Sequence, residues 1–222
     1  MECTTNPDSS NSDASSTAKN SAVPTALLLP TGYPDYMRLI LTSRVYEVAT
    51  ETPLTQATNL GNRFKCTVLL KREDLQPIFS CKLRGVYNKM AHLNHRDHWR
   101  GVVACSVGNH AQSVAYSARH LKLPAIVVMP SDTPHVKQKN VSRFGCTVVL
   151  HGNDFDTARQ EAARLETQHG LVSIPSFDDP YVIAGQGTIG MEILRQIVPQ
   201  NLTAVFCCVS GALRHRRQDH IA

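Results

Sequence analysis

No apolar run in this 222-residue chain approaches the ~20 residues needed to cross a bilayer. The longest, Ala125 to Met129 and Ala204 to Val209, stop far short, so neither a transmembrane segment nor a membrane partner is expected. Paired-cysteine spacing is also lacking. The seven cysteines (Cys3, Cys66, Cys81, Cys105, Cys146, Cys207, Cys208) are odd in number and scattered, with no C-x-x-C pair and no secretory leader. That argues against a disulfide framework and fits a reducing compartment. The ten histidines include no H-x-x-x-H, so no metal site is expected, and His92, His95 and His98 read as a solvated helix end or loop. Aromatics make up only 6% and form no stacking stripe around Trp99. The net charge of +5 is modest and spread along the chain apart from Arg214, Arg216 and Arg217, which predicts no nucleic-acid partner.

What is present is a 42% apolar fraction, enough to bury a core and too much for a wholly disordered chain. One large domain or two small ones fit the length. Residues 1–30 are rich in Ser, Thr and Asn and are expected to form a disordered tail. That stretch has no Arg and carries Glu2, Asp8 and Asp13, so it makes no clear targeting peptide; the expected location is cytoplasmic, or mitochondrial or plastid in a eukaryote. From Pro34 the pattern changes. Tyr36, Leu39, Ile40 and Val45 to Val48 recur at helical spacing up to Pro53. Strand-like runs follow at Thr67 to Leu70, Val102 to Ala104, Ala125 to Met129, Cys146 to Leu150 and Ala204 to Cys208. Helical stretches near 82–95, 109–121, 134–143, 154–168 and 180–198 lie between them. Strands alternating with helices indicate crossover units, hence an α/β fold with a parallel sheet covered on both faces. No internal repeat is present.

Three motifs could carry chemistry. In Ser80-Cys81-Lys82-Leu83-Arg84-Gly85, a lysine opens a helix, where partially positive backbone N–H groups disfavour the ammonium and favour the free amine needed for covalent chemistry. By itself the signal is weak, and a solvated helix lysine is the commoner reading of such a residue. In Ser106-Val107-Gly108-Asn109-His110-Ala111-Gln112, a small-residue turn between strand and helix exposes N–H groups that can bind an anion, although Ser106 and Asn109 could also be plain helix caps. In Gly185-Gln186-Gly187-Thr188, two helical glycines suggest close packing or approach of a ligand.

In this order within an α/β chain, the motifs resemble the fold-type II pyridoxal 5'-phosphate (PLP) enzymes, which are tryptophan synthase β-like, and within them the biosynthetic threonine dehydratases (threonine ammonia-lyases). The resemblance runs from about Pro34 to Val209 and includes Leu41-Thr42-Ser43-Arg44-Val45-Tyr46, Glu51-Thr52-Pro53-Leu54, Lys71-Arg72-Glu73-Asp74-Leu75-Gln76-Pro77 and Asp178-Asp179-Pro180-Tyr181-Val182-Ile183-Ala184-Gly185-Gln186-Gly187-Thr188. It implies PLP as cofactor, an amino acid as small-molecule substrate, and a homo-oligomer for the full-length family. Lys82 would hold PLP covalently and later move the substrate's α-proton. Asn109 would hydrogen-bond the cofactor's phenolic oxygen. Ser80, Ser106, Gly108 and His110 would receive the substrate carboxylate, while Arg84 and Gly85 would be structural. The implied activity is a lyase converting L-threonine to 2-oxobutanoate and ammonia in isoleucine biosynthesis. The implied architecture is two subdomains: a larger PLP-carrying one from 31–88 and 180–213, incomplete at its end, and a smaller α/β one over 89–179.

The sequence departs from the family at three places. Cys81 stands where Phe is usual, and Val107 where Ala or Ser is usual; a serine there supplies the second acid/base of serine racemases. The third departure is Val209-Ser210-Gly211-Ala212-Leu213, in place of the four glycines and leucine that bind the cofactor phosphate. It is followed by an aberrant basic tail over 214–222, so a truncated or frameshifted product is expected. An inactive fragment, a partner-binding paralogue and a serine/threonine dehydratase of the degradative or racemase-like group stay open as alternatives.

Overall fold

A computed structural model describes residues 23–94, 97 and 99–208. Within the stretch expected to be a disordered tail, residues 23–30 carry a 3-10 turn, Thr25–Leu27, and Leu28 bridges Pro34. Val23 and Leu27 pack against Leu39, Tyr181 and Ala184, so this apolar end of the stretch has a surface to bury against. Helix α1 (Tyr36–Leu41) starts where the Asp35 carboxylate accepts from Arg38 N at 3.0 Å. The helical pattern expected to run on to Val48 ends at Thr42, the C-cap, whose hydroxyl and backbone N–H both donate to the Arg38 carbonyl, at 2.8 and 3.0 Å; the chain resumes only as a 3-10 turn, Val45–Glu47.

The strand β1 (Leu54–Gln56) and helix α2 (Thr58–Phe64), neither foreseen, lead to β2 (Leu69–Lys71), which pairs antiparallel with β1. Three residues per strand give too short an alternation to stand out in the sequence. Helix α3 (Lys82–Ala91) is followed by β3 (Val102–Cys105), α4 (Asn109–Leu121), β4 (Ala125–Met129), α5 (His135–Ser142), β5 (Thr147–Leu150), α6 (Phe155–His169), β6 (Val172–Ser173) and α7 (Pro180–Gln196). The strands β5-β4-β3-β6 form one parallel sheet, in that order, with Val102 opposite both Ala125 and Val172.

Alternation along β3 decides what each face meets. Val102 and Ala104 point to one face and pack with Val86 and Met90 of α3, Ala111, Val114 and Ala118 of α4, and Val141 of α5. Val103, one residue out of phase, packs on the other face with Ala158, Ala162 and Leu165 of α6. Both faces are therefore covered, as a parallel sheet requires. Asp154 and Asp179 cap α6 and α7, and Gly170 closes α6 in the left-handed conformation (φ 62°) that its lack of a Cβ allows. β6 is two residues long and was missed. The run Ala204 to Cys208, expected as a strand, is not one: among the described residues no strand pairs with it, and Phe206 is 96% exposed. A strand exists only as part of a ladder, whatever its composition.

Helices α3 and α7 cross with their backbones nearly touching at Gly85 and Gly185. A Cβ on Gly185 would lie 2.6 Å from the Arg84 carbonyl oxygen and 2.7 Å from Gly85 Cα. Gly185→Ala should therefore cost about 1–3 kcal/mol by overpacking. Gly190→Ala, on the same helix with nothing within 4 Å of the added Cβ, should gain roughly 0.5–1 kcal/mol. Urea denaturation of both variants checks this, and equal midpoints would contradict it.

Candidate active site

The start of α3 is built on a rigid turn. Gln76, buried, donates to the Thr50 carbonyl at 2.8 Å and accepts from Thr50 N at 3.1 Å; Phe79 N in turn donates to the Gln76 carbonyl at 2.7 Å. Phe79 takes a left-handed conformation (φ 59°), unusual for a bulky residue, to reverse the chain into the helix. The Ser80 hydroxyl then accepts from Lys82 N at 3.2 Å. Lys82 Nζ donates to the Ser176 carbonyl at 2.7 Å, between β6 and α7.

Two residues on, the Arg84 side chain is fully buried. It makes bidentate pairs with Glu73 (2.8 and 2.8 Å) and with Glu192 (2.5 and 3.0 Å), and donates to Thr188 Oγ1 and the Thr50 carbonyl. Lys71 Nζ lies 2.6 Å from Glu192 and also donates to the Thr52 carbonyl; Tyr46 donates to Glu192 at 2.8 Å. Burial disfavours both charged forms, yet the mutual hydrogen bonds outweigh it, raising Arg84 and holding the Glu192 carboxyl below its ordinary range.

The second motif lies at the carboxyl end of β3. Gly108 is the N-cap of α4 with no capping side chain, and a Cβ there would meet nothing within 4 Å, so the helix begins facing open space. Ser106 Oγ accepts from Gly108 N at 3.3 Å, and Asn109 is exposed at the first position of the helix. His110 is buried, with Nε2 3.0 Å from the Ile174 carbonyl. A carbonyl only accepts, so Nε2 carries the proton of the neutral ring. Burial first, and the Lys82 charge beside it, push the imidazole down to about 4 against the pull of Ile174.

Lys82 and His110, expected in the site, thus hold carbonyls two residues apart, at Ser176 and Ile174. Ser80 braces the lysine's own backbone, and Ser106 and Gly108 shape the turn. The third motif does other work: Gly185 meets α3, and a Cβ on Gly187 would strike Ile40 of α1. Among the described residues no group of three or more His, Cys, Asp or Glu is placed to hold a metal ion, and no helix is long and apolar enough to cross a membrane. A cavity of about 360 Å³ beside Arg100, Glu166, Gly170 and Val172 lies at the amino ends of β3 and β6, the opposite end of the sheet from Lys82. Sequence reasoning missed Ile174, Ser176, Glu73 and Glu192. The first two act through backbone carbonyls, which leave no signature in residue type, and the acids gave no signal of the arginine they would meet.

These groups fit the amine-anchored cofactor and the carboxylate-bearing substrate that the resemblance implies. A lysine amine is held beside the sheet's carboxyl end, and an uncapped helix start opens onto free space next to it. The segment Val209 to Leu213, expected to meet the cofactor phosphate, lies outside the described residues, as do Arg214 to Ala222, His95 and His98.

The family model described as pyridoxal-phosphate dependent enzyme matches residues 45–215. A threonine dehydratase-like protein of Alternaria alternata is 66% identical over 196 residues, covering 88% of this chain and 48% of that protein. The mitochondrial threonine dehydratase of Schizosaccharomyces pombe is 56% identical over 189 residues, covering 85% of this chain and 32% of that protein. The solved structure of the processed form of threonine deaminase isoform 2 from Solanum lycopersicum superposes with a TM-score of 0.72 at 48% identity, covering 74% of this chain and 48% of that one. The chain spans about half, or less, of the length of these relatives.

The buried neutral His110 gives the fold an acid sensitivity of calculable sign. Its ring binds a proton less readily when folded (about 4) than when unfolded (about 6.5), so protonation favours unfolding. Its contribution is intact above pH 6.5 and is lost as pH falls towards 4, at most about 3 kcal/mol. His110→Gln keeps a donor for Ile174 and should flatten the stability profile between pH 6.5 and 4.5, measured by urea denaturation. A variant with the parent's slope there would contradict this.

Proposed function

The chain belongs to the pyridoxal-phosphate dependent enzymes, and from that premise we propose that it acts as a PLP-dependent lyase of the threonine dehydratase type, converting L-threonine to 2-oxobutanoate and ammonia. The observation that carries the reading is the Lys82 amine, held at the carboxyl end of the sheet beside the uncapped start of α4. The relatives' names supply the substrate class, and the biosynthetic ones among them support a place in isoleucine synthesis. We place the larger subdomain at 31–88 and 180–213 and the smaller at 89–179. Relatives named as mitochondrial and chloroplastic, beside bacterial ones, keep both a cytoplasmic and an organellar location within this reading.

In this reading Lys82 would hold PLP, with Asn109 reaching its ring oxygen. Bound there, PLP supplies an aldehyde for the substrate's amine and a conjugated ring that spreads the negative charge developing at Cα. The remaining steps belong to the chain. The N–H groups at the start of α4, with Ser80 and Ser106, take the substrate carboxylate and fix which bond at Cα is presented. Lys82 moves the α-proton. The Ser176 carbonyl stabilises the lysine when it is cationic, and His110, kept neutral by burial, adds no second positive charge next to it. Val107 offers no acid or base, which favours elimination over racemisation.

The test is the purified chain with added PLP beside Lys82→Ala. A visible absorbance band that is lost in the variant, together with threonine-dependent formation of 2-oxobutanoate in the parent alone, is the expected result. A band without product would leave a cofactor-binding protein and overturn the lyase assignment. Absence of both would overturn the whole reading for this chain.

A further inference from the structure

Helix α3 grips the segment Ile174–Asp179 at two points. Lys82 Nζ holds the Ser176 carbonyl at 2.7 Å. Seven residues further along the same helix, about two turns on, Lys89 Nζ lies 2.8 Å from the Asp179 carboxylate, with the side chains only 4% and 2% exposed. A third hold comes from α4 and β3: His110 on the Ile174 carbonyl, and Ile174 N donating to the Val103 carbonyl at 3.0 Å. The segment is therefore strapped across the carboxyl end of the sheet, and its middle carbonyl is the resting place of the Lys82 amine.

Asp179 also caps α7, accepting from Tyr181 N at 2.9 Å and Val182 N at 3.2 Å. A cap alone needs no charge, because asparagine caps as well as aspartate. Nor is a buried ion pair a strong source of net stability, since desolvation offsets most of the attraction. What the pair adds is direction: a charge-assisted bond in a dry place fixes where Asp179, and with it Ser176, sits relative to α3. The Arg84 cluster does not do this, because its partners are Glu73, Glu192, Thr188 and Thr50, away from the segment.

We propose that Lys89 and Asp179 form a positioning pair for the reactive amine: by pinning the 174–179 segment to α3 they set the point at which the Ser176 carbonyl holds Lys82, and so the geometry from which Lys82 meets the PLP aldehyde. The proposal rests on the PLP reading above. It gives a role in the site to two residues outside the three motifs.

The test uses the full chain and the variants Asp179→Asn, Lys89→Met and the two combined. Each is titrated with PLP and reduced with borohydride. Condensation of the lysine amine with the aldehyde releases one water, and hydride addition then makes the C–N bond permanent, so intact mass and peptide mapping report the fraction labelled at Lys82. Thermal midpoints are measured without PLP. Asp179→Asn and Lys89→Met should each raise the PLP concentration for half-maximal Lys82 labelling by about tenfold or more. The double variant, which removes both charges of the pair, should recover thermal stability but not labelling. If a single variant fails to fold, the double variant carries the comparison. Half-maximal labelling within twofold of the parent, with only the thermal midpoint changed, would make the pair purely structural and overturn the proposal. A parent not labelled at Lys82 would overturn the PLP reading itself, a result distinct from a labelled parent with unchanged variants.

Discussion

One guanidinium joins four separate parts of the chain. Arg84 sits inside the fold with all its N–H groups directed at Glu73, Glu192, Thr188 and the Thr50 carbonyl. A lone charge at that depth is not tolerable, and the cluster solves this by balance: Arg84 and Lys71 against Glu73 and Glu192, with Tyr46 and Thr52 taking further carboxylate lone pairs. Losing one member would leave an uncompensated buried charge, a defect of about 3–5 kcal/mol, comparable to much of a domain's stability. Lys82 is two residues from this anchor, so the position of α3, and with it the amine, depends on the cluster.

The second constraint is backbone proximity. Gly85 and Gly185 let α3 and α7 approach until a methyl group would clash. That approach brings Glu192 and Thr188 of α7 within reach of Arg84, and the start of α7 within reach of Lys89 and Asn88. The parallel sheet then brings the start of α4 to the same end as the segment before α7. The site is where a helix-helix crossing meets the carboxyl end of a sheet, the usual place for a ligand in α/β folds.

Much of this was legible in the sequence. The apolar runs of β3 and β4 were readable because burial on both faces leaves nearly unbroken runs of Val and Ile, half-buried β5 keeps a similar run at the sheet's edge, and the helices between them show apolar spacing. Lys82 and the Ser106–His110 turn stood out by motif and spacing. Arg84, read as structural, is the centre of the buried cluster. The rest was hidden for physical reasons. β6 is too short to show a period, α1 ends at Thr42 although its apolar spacing continues past it, and Ala204 to Cys208 has a strand's composition without a neighbour to pair with. Ile174 and Ser176 work through carbonyl oxygens, which every residue has. Asp179 stands in a family stretch, while Lys89 falls in no motif; only the fold brings them together.

The proposed function turns on Lys82 as the cofactor-anchoring lysine, placed by α3 against the end of the sheet. A crystal structure of the chain grown with PLP tests it most directly. Continuous density from Lys82 Nζ to the cofactor is expected, with the ring beside the start of α4 and the amine no longer on the Ser176 carbonyl. Cofactor attached to another lysine, or a well-ordered Lys82 still on Ser176 with no cofactor bound at saturating PLP, would contradict it.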